Sequence, residues 1–181
     1  ELLLKNFTSF VKRYQPSVAI FEDYNKGVLT ENIIQKIIAV CKEHNVVTTV
    51  DPKRKNFFSY KGVDIFKPNL KEVKEGLNML FDEVNEELLK RIHHEMHELL
   101  QHRISLITLS AKGAYIQTGN FARIIPSHLR NIADVSGAGD TVIAVASLIY
   151  AATRDITLTA EIANLAGGIV CEDVGTVAIS K

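Results

Sequence analysis

Apolar residues recur along the chain in two alternating patterns, one with the spacing of a helix and the other as short continuous runs. Leu3, Phe7 and Phe10 share one face of a predicted helix, which is expected to end before Pro16. The short apolar run at 18–21 then predicts a buried strand. Because helices that alternate with short apolar strands are typical of βαβ units, the pattern predicts an α/β fold around a parallel sheet.

The same alternation continues through the rest of the chain. Further apolar runs of strand length lie at 46–50, 65–67 and 104–109. Amphipathic helices are predicted after the capping residue Thr30 and at 88–100, and a tight turn at Gly119 predicts an antiparallel hairpin. Two almost wholly apolar helices, at 136–150 and 158–171, are expected to pack inside the protein. The whole chain is therefore interpreted as one domain, with its strand order left open.

Composition and charge narrow the function classes. The chain has 181 residues, 46% of them hydrophobic, and its 21 basic residues balance its 21 acidic ones. This excludes a disordered chain and a disulfide-stabilised miniprotein. Zero net charge offers no general attraction for nucleic acid or an anionic membrane, so neither is an expected partner. We expect a cytoplasmic protein, because no apolar run approaches the ~20 residues of a membrane span and no signal peptide is evident.

The cysteines Cys41 and Cys171 lie far apart, without the paired spacing of a zinc site or a redox motif. We expect both to be buried reduced thiols.

The strongest chemical signal is the segment 134–141, Asp-Val-Ser-Gly-Ala-Gly-Asp-Thr, at the start of an apolar helix. Small residues allow the backbone to approach a ligand, and the first amides of a helix attract anions such as a transferring phosphoryl group. Asp140, in the first helical turn, could accept a proton from a substrate hydroxyl. The alternative is a glycine-rich turn in which Asp140 only interacts favourably with the helix dipole.

The full octapeptide and the helix after it resemble the C-terminal signature of the ribokinase-like (PfkB) carbohydrate kinases. The resemblance implies a three-layer αβα fold with a mostly parallel sheet. It also implies phosphoryl transfer to a sugar hydroxyl with ATP and Mg²⁺ as cofactors. Asp140 would be the catalytic base, and the amides of Gly137, Ala138 and Gly139 would form the anion hole.

A second motif, Asn69 and Glu72 in Lys-Pro-Asn-Leu-Lys-Glu, follows a predicted strand. The pair resembles the Asn-x-x-Glu motif of the same family, which implies that it helps to hold magnesium and its water shell. Magnesium prefers oxygen ligands and usually retains waters, so an indirect role for Glu72 is chemically reasonable. The alternative is a helix start that Asn69 caps.

Two further segments resemble nucleotide-binding parts of the family. Residues 108–115 match its strand-to-hairpin segment, although without the resemblance they are only a turn. On the last helix, Asn164 matches an adenine-side position, and a helix-to-helix hydrogen bond explains this amide equally well. The cofactor-binding residues implied by the resemblance are Thr108, Ser110, Gly113, Asn164 and Gly167.

The acceptor is indicated by residues 21–30 and 50–53, which resemble the matching segments of the family's heptose 7-phosphate kinases. The resemblance implies transfer to the anomeric hydroxyl of D-glycero-β-D-manno-heptose 7-phosphate in lipopolysaccharide core biosynthesis, with Asp23, Lys26 and Lys53 at the substrate. Taken alone, Lys26 and Lys53 are each better explained as solvated surface charges. The alternatives are another PfkB-type sugar or nucleoside kinase, or a noncatalytic nucleotide-binding module.

The resemblance covers the later part of the kinase domain only. The family's early strands, its glycine-pair sugar motif and its β-sheet lid have no counterpart in this chain, which also begins at Glu1 without Met. We therefore expect the chain to be a portion of a longer protein, truncated at its N-terminal side. Lids of this family often meet across a dimer, which makes a homodimer a candidate assembly for the full-length protein.

His93, His94 and His97 fall on one predicted helix, and the first and last have the i, i+4 spacing that can bind a metal. The pattern is one residue short of the zinc-peptidase motif. Because Met96 and Leu99 are expected on the buried face, the histidines are expected on the solvent side. A polar helix surface is therefore favoured over a metal site.

Overall fold

A computed structural model describes residues 1–127 and 132–179 of the chain. The α-helices are α1 (Leu2–Tyr14), α2 (Glu31–Glu43), α3 (Leu70–Leu77), α4 (Glu86–Leu100), α5 (Ala138–Thr153) and α6 (Ile156–Val170). The strands are β1 (Val18–Glu22), β2 (Val47–Asp51), β3 (Ile65–Phe66), β4 (Ile104–Thr108), β5 (Ala114–Thr118) and β6 (Phe121–Ile125). The predicted alternation of helices and strands is confirmed, and a short 3₁₀ helix, Arg54–Ser59, follows β2.

Within the described residues, the strands form one six-stranded sheet in simple chain order from β1 to β6. The first four strands are parallel, and β5 and β6 add an antiparallel hairpin at one edge. The parallel strands follow one another across the sheet in a single direction. Because such connections are right-handed, the helices that join them lie on the same face of the sheet. Helices α5 and α6 cover the opposite face, so the predicted three-layer α/β architecture is confirmed.

The shortest strand, β3, shows how the sheet separates two cores. Phe66 belongs to the core beneath α2 and α4, where it packs with Ile34 and Ile92. Its neighbour Ile65 points to the other face and joins Ala146 of α5 and further residues of α6. A strand covered on both faces must be apolar at successive positions, which explains why its sequence shows a continuous run rather than alternation.

The arrangement of the strands determines where chemistry can occur. In a parallel sheet the carboxyl ends of all strands meet at one edge, which is the usual place for a ligand. Glu22 and Asp51 end β1 and β2 at this edge, and Lys67 directly follows β3. An isolated bridge between Asn69 and Thr108 continues the β3–β4 pairing there.

The histidines of α4 correct one expectation from the sequence. His93 is buried, and Leu99, expected on the buried face, is 50% exposed. His93 Nδ1 and His102 Nε2 lie 2.8 and 2.6 Å from the hydroxyl oxygen of Ser105. This shared hydroxyl gives the imidazoles a partner inside the core, which is why His93 can be buried. Among the described residues, the helix histidines belong to no group of three or more close metal-ligand atoms.

Cys41 and Cys171 are both buried and free, as predicted. In the two described stretches, no helix combines the length and apolarity that crossing a bilayer requires.

Candidate active site

A crevice of about 660 Å³ lies at the carboxyl edge of the sheet, bounded by the strand ends, α5 and α6. Its walls include Asp140, Ala138 and Gly139 together with Lys53 and Asn69. The nucleotide-binding set implied by the sequence also lines it, namely Thr108, Ser110, Gly113, Asn164 and Gly167. The fold therefore brings most of the predicted site residues, from six different elements and loops, to one cavity.

The start of α5 is built by a glycine in the left-handed conformation. Gly137 is the N-cap, with φ of 79°, and no side chain caps this end of the helix. Asp134 stabilises the turn before it, because its carboxylate accepts hydrogen bonds from the amide and hydroxyl of Ser136 and from the amide of Gly175. The bonds from Ser136 also lower the pKa of Asp134. The turn therefore presents the amide end of α5 toward the crevice.

One of the three amides expected in the anion hole has an internal partner. The N–H of Ala138 donates to the carbonyl of Val135 at 3.3 Å, which closes the turn. Within the described residues, no backbone bond of this kind is made by the N–H groups of Gly137 and Gly139. Among the described residues, two of the three predicted donors therefore lack a backbone acceptor, and Gly139 is the one of these in the crevice wall.

Asp140 faces other acidic groups across the crevice. One oxygen of its carboxylate lies within 4.8 Å of oxygens of both Glu22 and Asp51. Burial raises the pKa of Glu22, and the neighbouring charges of Asp140 and Asp51 add to the effect. The phenol of Tyr24 donates a hydrogen bond of 2.9 Å to Oδ2 of Asp140. Sequence reasoning missed Glu22 and Tyr24 as site residues, although both lie within the 21–30 segment.

A buried lysine offsets part of this negative charge. Lys67 is 2% exposed, and its Nζ lies 3.1 Å from Oδ1 of Asp51. A Cβ added to Gly139 would lie 3.7 Å from that Nζ and 3.8 Å from Asp51 Oδ2. The ion pair therefore packs directly against the first turn of α5. Sequence reasoning did not single out Lys67, although its position between a predicted buried strand and Pro68 was a signal that it lies at the sheet edge.

Asn69 and Glu72 form a reciprocal capping box at the start of α3. The Asn69 side chain accepts from the amide of Glu72, and Glu72 Oε2 accepts from the amide of Asn69, both at 2.9 Å. Glu72 Oε1 pairs with the ammonium of Lys53, which also lies 3.6 Å from Asp51. Burial alone would lower the pKa of Lys53, but its hydrogen bond to Glu72 and the charge of Asp51 outweigh this and raise it. The helix-cap interpretation of this motif is confirmed.

Those contacts decide how the motif fits a magnesium ion. All the carboxylate oxygens of Glu72 and the amide oxygen of Asn69 already accept hydrogen bonds. Each of these oxygens keeps a second lone pair, so the cap alone does not prevent coordination, but the ammonium of Lys53 on Oε1 opposes a second cation there and favours an indirect role through metal-bound water. Glu72 accordingly lies behind the crevice wall, whereas Asn69 is part of it.

Two residues of the predicted nucleotide site have structural roles of their own. Gly113 has φ of 98°, and a Cβ there would lie 2.0 Å from the carbonyl oxygen of Ile125. The amide of Asn164 donates to the carbonyl of Pro126 at 2.9 Å. This is a helix-to-loop hydrogen bond in place of the helix-to-helix bond considered from the sequence.

Asp23 and Lys26 lie outside the crevice. They line a separate hollow of about 430 Å³ between α1, β1 and the loop that follows β1. Asp23 is buried, and its carboxylate accepts hydrogen bonds from Tyr60, Asn56 and the amide of Asn25. Its position is that of a loop anchor, and among the three predicted substrate residues only Lys53 reaches the crevice.

A family model and the sequences of individual proteins were both compared with this chain, and both comparisons found matches. Residues 18–181 match the model of the pfkB family carbohydrate kinases. The chain is 38% identical to the bifunctional protein HldE of Aliarcobacter butzleri over 176 residues, and 33% identical to that of Sulfurimonas denitrificans over 180. These matches cover 96% and 99% of the chain but only 36% and 37% of the relatives. The chain thus spans little more than a third of their length.

Solved structures share the fold at low sequence identity. Phosphofructokinase-2 from Escherichia coli in complex with potassium superposes with a TM-score of 0.83 at 13% identity, covering 97% of this chain and 57% of that one. Ribokinase of Arabidopsis thaliana complexed with ribose and ATP gives 0.75 at 16% identity, covering 97% and 54%. The architecture is therefore ribokinase-like. With the family model matching nearly the whole chain, and its glycine-rich signature lying at the head of α5 in the crevice, this protein belongs to the pfkB family of carbohydrate kinases.

Proposed function

We propose that this chain forms the nucleotide-binding and catalytic-base part of an ATP-dependent sugar kinase. The observation that carries the proposal is that Asp140 and the amide end of α5 share one crevice with the cations Lys53 and Lys67. Phosphoryl transfer needs positioning and charge stabilisation rather than a covalent intermediate, and a helix N-terminus with nearby lysines supplies both.

The residues have distinct tasks in this reaction. The carboxylate of Asp140 takes the proton of the acceptor hydroxyl while the oxygen of that hydroxyl forms a bond to the γ-phosphorus of ATP. The bond from that phosphorus to the bridging oxygen of ATP breaks, and ADP leaves with the electron pair. The amides of Gly137 and Gly139 and the ammonium of Lys67 stabilise the charge on the transferring group. Asn69 and Glu72 would orient the water shell of a magnesium ion, which would neutralise charge on the phosphates when bound.

The proposed acceptor is the anomeric hydroxyl of D-glycero-β-D-manno-heptose 7-phosphate, which would become the 1,7-bisphosphate. Support comes from the 50–53 segment, which lines the crevice through Asp51 and Lys53, from the 21–30 segment, whose Tyr24 contacts Asp140, and from the similarity to the HldE proteins. Lys53 is the cation of the predicted substrate set that lines this cavity, so it is the candidate for contact with the sugar.

The test combines binding with turnover. Calorimetry with Mg-ADP should show saturable binding, and ATP-dependent phosphorylation should favour heptose 7-phosphate over fructose 6-phosphate, ribose and adenosine. Asp140→Asn should abolish transfer while ADP affinity stays unchanged, because the amide keeps the shape but cannot take the proton. The exposed Asp82→Asn is the matched control and should behave as wild type. A folded chain that binds ADP but transfers no phosphate to any acceptor would favour the noncatalytic nucleotide-binding module instead.

A further inference from the structure

The loop between β1 and α2 brings Tyr24 to the carboxylate of Asp140. The two residues are 116 positions apart in the chain, and the phenolic hydroxyl donates to Oδ2 at 2.9 Å. Within the described residues, Tyr24 is the one side chain that makes a hydrogen bond to this carboxylate. The contact therefore accounts for one of the two oxygens of Asp140 and leaves Oδ1 for another donor.

The neighbouring residue explains how an exposed tyrosine is held in place. Asp23 is 3% exposed and accepts hydrogen bonds from Tyr60 at 2.7 Å, from Asn56 at 2.9 Å and from the amide of Asn25 at 2.8 Å. A buried carboxylate with three donors fixes the backbone at that point. Tyr24 follows directly, so its side chain extends from a rigid anchor although the residue as a whole is 55% exposed.

The hydrogen bond from Tyr24 opposes electrostatic repulsion between Asp140 and the acidic side chains around it. Carboxylate oxygens of Glu22 and Asp51 lie within 4.8 Å of that of Asp140, and like charges at such a separation repel. Rotation of the Asp140 side chain away from them would relieve the repulsion but would move the carboxylate from its place in the crevice. A neutral donor on Oδ2 offsets part of the repulsion and limits that rotation.

The same contact keeps Tyr24 in its donor form. Its hydrogen bond to Asp140 is the largest of several effects that raise the pKa of the phenol above its usual range, and burial and nearby acidic charge add to it. The hydroxyl therefore remains protonated at neutral pH.

We propose that Tyr24 is a positioning residue for Asp140, whose hydrogen bond to Oδ2 keeps Oδ1 directed toward the acceptor alcohol. This inference rests on the proposed kinase function. The proton of the acceptor passes to Asp140 itself, and Tyr24 keeps its own proton throughout. Its role is geometric, so its loss should slow turnover without weakening nucleotide binding.

The decisive variant is Tyr24→Phe, which removes only the hydroxyl, with the exposed Tyr14→Phe as the matched control. Phosphoryl transfer from ATP to heptose 7-phosphate is measured alongside Mg-ADP affinity by calorimetry. We expect kcat to fall about tenfold in Tyr24→Phe, the effect of losing one charge-assisted hydrogen bond. The ADP affinity and the acceptor KM should stay within about twofold of wild type, since only the transition-state geometry is affected.

A second readout follows the contact without any turnover. Ultraviolet titration of tyrosine ionisation, with Tyr24→Phe used to assign the signal, should show Tyr24 ionising above the usual range in the wild-type chain. In Asp140→Asn its pKa should fall toward the ordinary value, because the charged acceptor is gone.

The outcomes separate this inference from the proposed function. An active wild-type chain with Tyr24→Phe at or above the wild-type rate overturns the positioning role and leaves the kinase proposal standing. A Tyr24 titration that Asp140→Asn does not change overturns the contact itself. A full-length protein containing this chain that transfers no phosphate overturns the kinase proposal, and the role of Tyr24 with it.

Discussion

The ammonium of Lys67 lies 3.1 Å from Oδ1 of Asp51, and both side chains are buried against the first turn of α5. A buried ion pair is costly to break, because removing one partner leaves the other charge in a poorly solvated place. Lys67 therefore serves the stability of the sheet edge as well as the charge of the crevice.

Replacing Lys67 by methionine should destabilise the protein by about 3 kcal/mol in urea unfolding, since Asp51 loses its closest cation. The matched control is Lys71→Met, whose ammonium is exposed and 4.0 Å from Glu75, and which should cost less than about 1 kcal/mol. The double variant Lys67→Met with Asp51→Asn should lose less stability than the sum of the single changes. Strict additivity in that cycle would show that the two charges are not coupled.

Asn69 and Asn85 are matched N-caps, because each accepts a hydrogen bond of 2.9 Å from the amide three residues later. Changing either to alanine should cost about 1 kcal/mol of unfolding free energy, measured without magnesium. Only Asn69→Ala should also weaken Mg-ADP binding by calorimetry, because Asn69 lines the crevice and Asn85 caps α4 elsewhere. Equal Mg-ADP affinity in the two variants would show that Asn69 does not contribute to nucleotide binding.

Acidification should destabilise the protein between about pH 6.5 and pH 3. Burial, with the nearby charges of other histidines, lowers the pKa of His93 to about 4 and that of His102 to about 3. The unfolded chain binds these protons near pH 6.5, so unfolding takes up protons and stability falls as pH falls through this window. Urea unfolding at pH 7, 6 and 5 measures the slope.

His93→Gln should flatten that slope, whereas the exposed His94→Gln should change it much less, because the charge of His94 is the smallest of the effects that lower the pKa of His93. Because His93 and His102 share the Ser105 hydroxyl, the His93 variant will also lower stability at pH 7. The slope, not the absolute value, is therefore the relevant quantity. Equal stability at pH 7 and pH 5 in the wild type would contradict the burial of these imidazoles.

Gly113→Ala should be far more damaging than Gly119→Ala. Both glycines have positive φ, so each substitution carries backbone strain of about 1–2 kcal/mol. At Gly113 the new methyl group would also meet the Ile125 carbonyl at 2.0 Å and the Ser127 amide at 2.7 Å, whereas nothing lies within 4 Å of such a group at Gly119. Thermal unfolding should show the larger loss at Gly113, and equal losses would mean that the backbone near Ile125 yields easily.

Local patterns were sufficient for most of the elements and for part of the site. The glycine-rich segment at the start of α5 was recognisable because its residues are adjacent in the sequence. Glycine also permits the positive φ that the backbone adopts at Gly137. The prediction that His93 lies on the solvent side was wrong. The periodicity of α4 cannot show that Ser105 of β4 supplies a hydrogen-bond partner for it. The anchoring of the loop by Asp23 could not be predicted, because two of its three donors, Asn56 and Tyr60, come from more than 30 positions away.

The amino-acid sequence by itself determined the alternation of helices and strands, the apolar helices that cover one face of the sheet, and the acid and glycines at the start of α5. Those features depend on neighbours a few residues apart, whose spacing decides which side is buried. Only the tertiary structure decided that Tyr24 meets Asp140, that Lys67 pairs with Asp51, and that the oxygens of Glu72 are already engaged. Each of these depends on the order of strands and on side-chain directions across the crevice, which no local spacing specifies.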